Sequence, residues 1–458
     1  MKILLTGATG LVGTKLLEQL TLQGFDDLRI LSRNKQKAKS TISFPAEIFE
    51  WNPEAGSIDK GALENVDIII HLAGENIADG SWSKDKKERI MNSRTMSSLL
   101  LMKEIKKLNT APKKFISSSA VGIYGSNNSS EIFNEESKTG SDYLAEVCKA
   151  WESNIFSEEV PGMKVHAIRT GVVLSNEGGA LQKMLPAFLM GVAGKLGSGS
   201  QYMSWIHIDD LVNQFIFLIK NDGKSKIYNG VSNNPVTNNT FTKILGKTIA
   251  RPTLFPVPGI ILKVIFGEMS DVLLKGQKVL PVHFVSEGFK FQYPTLENAL
   301  QDLLKYSNRG EVVFKKFLWI EKSTPEVFLF FSDEKNLEKI TPPYLGFKIK
   351  QMSTAEIMEG SLIDYNLKIH GVPAKWRTKI STYVKDKTFT DEQLIGPYKK
   401  WVHTHDFTSF KNGTLMKDQV VYKLPLGLLG RLVAGKFVKK DVENIFKYRN
   451  EVITNNFL

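Results

Sequence analysis

Cysteine is almost absent. The 458 residues contain one, Cys148, which excludes an intramolecular disulfide and a cysteine-based zinc cluster and fits a reducing compartment. Long apolar runs are missing too. No stretch reaches the roughly 18 residues needed to span a bilayer. The closest, PGIILKVIFGEMSDVLL, is interrupted by Lys263, Glu268 and Asp271. The apolar run behind Met1-Lys2 stops at Thr6 and Gly7, before the h-region of a secretory signal forms. A cytoplasmic protein is therefore expected. A basic stripe is the third absence. The formal charge is +12, yet segments such as Lys84-Asp85-Lys86-Lys87-Glu88-Arg89 mix signs. Without a stripe or a motif there is no nucleic-acid footprint, and no nucleic-acid partner is expected.

What is present suits a soluble globular chain: 42% of residues are apolar and 24% charged. The length asks for two or three domains. Residues 1–305 follow the βα alternation of a doubly wound α/β fold of the Rossmann type with a parallel sheet. KILLTG is a short buried strand. LVGTKLLEQLTLQG is a helix, with Leu11, Leu16, Leu17 and Leu20 at helical spacing and Gly24 as its stop. Between them lies Gly7-Ala8-Thr9-Gly10-Leu11-Val12-Gly13. Gly7 permits a tight turn, Gly10 lets the backbone approach a pyrophosphate, and Gly13 lets the helix pack closely. The strand LRILSR ends in Ser32-Arg33. An acidic residue there would take the ribose 2′-OH of NAD, whereas arginine suits a 2′-phosphate, so NADP is expected over NAD. A solvated loop arginine is the alternative. VDIIIHLAG is a third strand, and its end, Leu72-Ala73-Gly74, would lie beside the cofactor. KKFISSSAVGIYG and KVHAIRTGVVLS are further strands.

These segments carry a resemblance. The glycine spacing, HLAG, SSSAVGIYG, RTGVVL and WIHIDDLV together resemble the extended short-chain dehydrogenase/reductase superfamily. LAGENIADGSWSKDKKERIMNSR, YLAEVCKAWE, GGAL and GEMSDVLLKGQKVLP resemble, more narrowly, its NAD-dependent epimerase/dehydratase branch, some members of which go under the name of cell-division inhibitors. The likeness spans about residues 1–305, with about 250–300 as a substrate subdomain. It implies hydride transfer, with a Tyr phenol protonating the alkoxide, a Lys four positions later tuning it, and a Ser holding the carbonyl oxygen. Ser119 fills the serine role, with Ser118 adjacent.

The tyrosine-lysine pair is missing. Tyr143 is followed by Lys149, six positions on, about 120° around a helix. Alignment on Glu152 would instead put Leu144 and Cys148 at the two positions. The proton donor is then sought at Tyr124, with Tyr143 second. Arg89 and Arg94, in KERIMNSRTMSSLLLMKEIKKL, either anchor an anion or form surface ion pairs. Asp210 is expected to cap the helix LVNQFIFLIK, and FPVPGIILKVIFGEMSDVLL is expected to pack its apolar stripe into the core, with a membrane surface as the alternative.

Beyond residue 305 the pattern changes. EVVFKKFLWI reads as a strand, TPEVFLFFSDEKNLEKI as short helix, FKIKQMS through TLMKDQVVYKL as a meander of strands, and KKDVENIFKYRNEVI as a closing helix. This is an α+β helix-grip order. TPPYLGFKI, GPYKKWVHTHDF, GTLMKDQVVYKLPLG and IFKYRNEV resemble the START-like superfamily of polyketide cyclases and lipid-transport proteins, which implies a cavity for an apolar ligand in residues 306–458. Alternation places Trp401, His403, His405 and Phe407 on one strand face. Two histidines without a visible third ligand do not make a metal site, so no metal is expected. PLGLLGRLVAGKFVKK would touch a membrane peripherally or form a lid. The reading is an NADP-binding oxidoreductase or epimerase for a small apolar or carbonyl-containing substrate, fused to a ligand-binding domain. The alternative is a catalytically weak or inactive NADP-dependent sensor or scaffold.

Overall fold

The computed structural model describes residues 1–126, 131–157, 159–224 and 226–457; the side chains at 334, 428–429, 431–433 and 454–457 lie outside that description. Two compact units divide the chain: Met1–Ile42 with Ala46–Leu304, and Ser43–Pro45 with Lys305–Leu458.

The first unit is built on an eight-stranded sheet. In spatial order its strands are Ile227–Gly230, Lys164–Thr170, Lys114–Ala120, Ile68–His71, Lys2–Thr6, Asp27–Ser32, Glu47–Asn52 and Ser57–Ile58. Only the last pair is antiparallel. Ile3, Leu4 and Leu5, like Ile68, Ile69 and Ile70, are buried without alternation, as strands covered on both faces must be. The chain leaves Lys2–Thr6 toward one edge of the sheet and later returns to build the other side. The strand order therefore reverses between Lys2–Thr6 and Ile68–His71, and the crevice beyond their carboxyl ends is where a doubly wound sheet binds ligands.

Two expectations fail here. The helix Ile208–Lys220 is capped by His207, whose Nδ1 accepts from the Asp209 amide at 3.1 Å. Asp210 instead turns inward and accepts from the amides of Gln292 and Tyr293 at 2.7 and 3.0 Å. The helix Gly259–Phe266 buries only Leu262. Its Ile260, Ile261, Val264 and Ile265 are exposed, because the apolar residues run all round a helix of only two turns and one face alone can be covered.

The second unit holds a seven-stranded antiparallel sheet in the order Val312–Ile320, Gly413–Lys423, Lys400–Phe410, Thr388–Ile395, Val372–Val384, Leu362–Ile369 and Lys348–Met352. The first strand pairs with the last, and the rest form a meander. Ser323 and Glu326 form a capping box for the helix Thr324–Phe331, with Pro325 in its first turn. The closing helix spans Gly427–Phe457 and starts well before the expected Lys439. Its Phe446 packs on Phe314 and on His403, with centroids at 4.7 and 5.5 Å. Between helices and sheet lies a cavity of about 210 Å³, walled by Phe331, Leu337, Ile357, Ile363, Ile380 and Phe389. Of the segment PLGLLGRLVAGKFVKK, Leu426 and Phe437 are exposed, and the side chains at 428–429 and 431–433 lie outside the described residues. Among the described residues no helix is long and apolar enough to cross a membrane.

Candidate functional site

At the crevice the turn Gly7–Gly13 is packed too tightly for side chains at two points. Gly7 has φ +69°, and a Cβ there would lie 2.8 Å from the Leu72 carbonyl. A Cβ on Gly13 would lie 2.2 Å from the Gly7 oxygen. The third glycine thus packs the helix on its own entry turn. The helix Leu11–Leu22 begins at Gly10 with no side-chain cap, whereas Asn34, Ser83 and Asp142 each cap theirs. Its first-turn amides at Leu11, Val12 and Gly13 have no intrahelical partner, and they form an anion-binding terminus beside exposed Thr9 and Gly10.

A buried network fixes the facing turn, Leu72-Ala73-Gly74. Thr6 Oγ1 accepts from the Leu72 and Ala73 amides, both at 3.1 Å. Its own proton therefore goes to His71 Nδ1, 2.8 Å away. Ser97 Oγ donates to the Ser93 carbonyl at 2.7 Å, so it accepts from His71 Nε2–H at 3.2 Å. Both ring contacts suit a neutral imidazole. Burial, with Arg94 nearby, lowers the His71 pKa to about 3. Sequence reasoning missed Thr6 and His71, although each directly precedes a turn it had singled out.

Ser32 ends its strand and bonds locally, its Oγ donating to the Asn34 carbonyl at 3.1 Å. Arg33 is exposed and makes no ion pair among the described residues. Gly74 packs against Arg94, whose guanidinium carbon would lie 3.2 Å from a Cβ placed there. Arg94 Nη2 donates to the Glu75 carbonyl at 3.0 Å and Nη1 to that of Ile90 at 3.0 Å. The cation lies 5.3 Å over the Trp151 ring. Arg89 remains at the surface, 3.9 Å from Glu75, which Lys86 holds at 2.8 Å.

The three candidate hydroxyls separate into two places. Ser119 Oγ donates to Glu152 Oε1 at 2.7 Å. Arg169 grips Glu152 with two bonds, at 2.9 and 2.8 Å, and reaches the Tyr124 hydroxyl at 3.0 Å. Tyr124 in turn donates to Asn229 Oδ1 at 2.8 Å. This chain is closed: Ser119, Tyr124, Glu152, Arg169 and Asn229 are all buried. Burial raises the Tyr124 phenol, and Arg169 opposes it.

Tyr143 stands apart from this chain. It is half-buried, its hydroxyl donates to the Lys87 carbonyl at 2.7 Å, and its ring meets Trp82 edge-on at 5.4 Å. Burial raises its pKa, and the nearby Arg94 charge opposes the rise. Lys149 pairs outward with Glu146 at 2.7 Å. Along the helix Tyr143–Phe156, the face toward Gly122 and Ser119 carries Leu144, Cys148 and Glu152 at four-residue spacing. The face that meets Ser119 is thus the one carrying Leu144, Cys148 and Glu152, and neither Tyr143 nor Lys149 lies on it. Burial, reinforced by Glu152, pushes the Cys148 thiol up to about 12.

In the second unit, His403 and His405 face the cavity together with Asp391. Asp391 lies directly across the strand pair from His403 and adds a carboxylate beside the two rings that sequence reasoning did not find. Asp391 Oδ2 lies 3.5 Å from His403 Nδ1 and 3.6 Å from His405 Nε2. On the far side of both rings is buried Asp418. Its Oδ1 bonds His403 Nε2 at 2.9 Å and lies 2.7 Å from His405 Nδ1, off the line of a hydrogen bond. Arg449 approaches the same oxygen at 3.6 Å.

Comparison with known proteins fits the first unit. Residues 3–229 match the model of the NAD dependent epimerase/dehydratase family, and residues 257–303 match a domain of unknown function, DUF1731. The chain is 37% identical over 311 residues to an epimerase family protein, an SDR39U1 homolog of the chloroplast, from Arabidopsis thaliana, covering 67% of this chain and 87% of that one. The crystal structure of human epimerase family protein SDR39U1 (isoform 2) with NADPH superposes with a TM-score of 0.60 at 28% identity, over 67% of this chain and 99% of that chain. A nucleoside-diphosphate sugar epimerase from Corynebacterium glutamicum matches with a TM-score of 0.54 at 31% identity, over 67% of this chain and 58% of its own. With the switch-point crevice, its glycine turn and these relatives in agreement, the chain belongs to the NAD dependent epimerase/dehydratase family.

Proposed function

We propose that the first unit binds NADP(H) and works as an oxidoreductase or epimerase on a small, apolar or carbonyl-containing molecule. One observation carries this reading: an uncapped helix terminus behind the Gly7–Gly13 turn, at the switch point, with exposed Arg33 where an NAD site has an acid. The human relative solved with NADPH supports the same cofactor. When bound, NADP(H) gives or takes hydride. The chain must then bind a carbonyl oxygen and deliver a proton to it. Of the three hydroxyls, Ser119 and Tyr124 are buried in the closed Glu152–Arg169 chain, whereas Tyr143 is half-buried and bonds only the Lys87 carbonyl, so the donor role is assigned to Tyr143. Arg94, reaching in from the neighbouring helix, takes the place of the absent lysine as the cation that favours phenolate. The second unit, by its sheet order, closing helix and apolar cavity, is read as a START-like helix-grip domain that holds or presents an apolar ligand. The single buried cysteine fits a cytoplasmic location.

NADPH oxidation against a carbonyl panel tests the first unit. Tyr143→Phe should lower turnover about 100-fold or more, with NADPH affinity unchanged. Tyr124→Phe should act chiefly on stability. Arg33→Ala should weaken NADPH about tenfold or more while leaving NADH nearly unaffected. Equal loss for both cofactors removes the NADP assignment, and full activity of Tyr143→Phe removes its role. The presence of Leu144 and Cys148 on the face that meets Ser119 favours a second reading, an NADP-dependent sensor that does not turn over. Cofactor binding without oxidation by any substrate would select it.

A further inference from the structure

We propose that the second unit carries a divalent transition-metal site formed by Asp391, His403 and His405 in the wall of its cavity. The proposal is independent of nucleotide binding by the first unit. Donor atoms bound at about 2.0–2.1 Å around a tetrahedral ion stand about 3.3–3.4 Å from one another. Asp391 Oδ2 stands 3.5 Å from His403 Nδ1 and 3.6 Å from His405 Nε2, and the three donors lie within 4.8 Å of one another. The set is two imidazoles and one carboxylate, which suits Zn²⁺, Fe²⁺ or Co²⁺ and not the oxygen-seeking Ca²⁺ or Mg²⁺.

The outer contacts point the same way. A metal-bound histidine commonly gives its other ring nitrogen to a carboxylate, which fixes the ring and its tautomer. Here Asp418 bonds His403 Nε2 at 2.9 Å, its oxygen also lies 2.7 Å from His405 Nδ1 without bonding it, and Arg449 stands 3.6 Å from that oxygen. His403, His405 and Asp418 are at most 8% exposed. Three protein donors leave at least one coordination position, and it faces the apolar cavity. An oxygen atom of a cavity ligand, such as a carbonyl or carboxylate, is the group it would take.

The test uses the full chain without a polyhistidine tag, titrated with Co²⁺ alone. One equivalent should bind per chain and give visible d–d absorption, and Zn²⁺ should displace it. Asp391→Asn and His405→Gln should each weaken Co²⁺ at least tenfold, with unchanged circular dichroism. The neighbouring Glu392→Gln should bind as the natural chain does. Failure of the natural chain to saturate at a tenfold excess of Co²⁺ overturns the site. So does undiminished affinity in either folded variant. Should one variant not fold, the other and the natural chain still decide.

Discussion

His71 shows how much one side chain decides at the crevice. It is fully buried and neutral, bridging Thr6 on the first strand to Ser97 on the neighbouring helix. Its folded pKa, lowered to about 3, lies below the ordinary value of 6.5. Between those values the unfolded chain binds a proton that the folded chain refuses. The stabilisation is thus complete above about pH 6.5 and is lost as pH falls toward 3, amounting to roughly 4–5 kcal/mol. Urea unfolding at pH 7, 5 and 4 should show this loss, and His71→Gln should flatten it while lowering stability at pH 7. An unchanged slope in the variant would assign the acid sensitivity elsewhere. The residues of the expected cofactor turn stood out in the sequence because glycine and arginine have few reasons to stand where they do. The Glu152–Arg169 pair was not. Both residues lie within segments the sequence reading used, yet nothing local signals that they meet each other, Ser119, Tyr124 and Asn229 across as many as 105 positions.

At the scale of elements, strand and helix types were readable because apolar periodicity differs between them. Pairing was the harder step, although the hairpins held a usable signal. Folding the strands Thr388–Ile395 and Lys400–Phe410 about Pro397 sets Asp391 against His403. Folding the next pair about Lys411-Asn412 sets His405 against Asp418. Counting outward from these turns would have supplied both carboxylates. The length of the closing helix was less accessible, because Gly427 and Gly430 argue against helix. The first helix makes a sharper case. Gly13 gives it a contact with its own entry turn that no other residue allows. Gly13→Ala should cost about 1–3 kcal/mol and weaken NADPH, as seen by urea unfolding and by fluorescence titration. A variant as stable as the natural chain would mean that the turn has room.

At the scale of the molecule, each unit has its own core. One surrounds Leu4, Ile69, Leu101 and Phe115, the other Phe328, Phe389, Phe407 and Met416. Scanning calorimetry should resolve two transitions. NADPH at a hundredfold excess over its Kd should raise only one of them, by about 2.7 kcal/mol. A single transition that moves as a whole with cofactor would show the units to be one cooperative body. Cys148, the sole thiol of 458 residues, lies buried on the inner face of its helix with its ionisation pushed up to about 12. The native surface is in effect free of sulfhydryl chemistry. A cysteine introduced at an exposed position of either unit would therefore be the one group a maleimide dye or spin label modifies, and the natural chain serves, without further engineering, as the background for distance measurements within or between its halves.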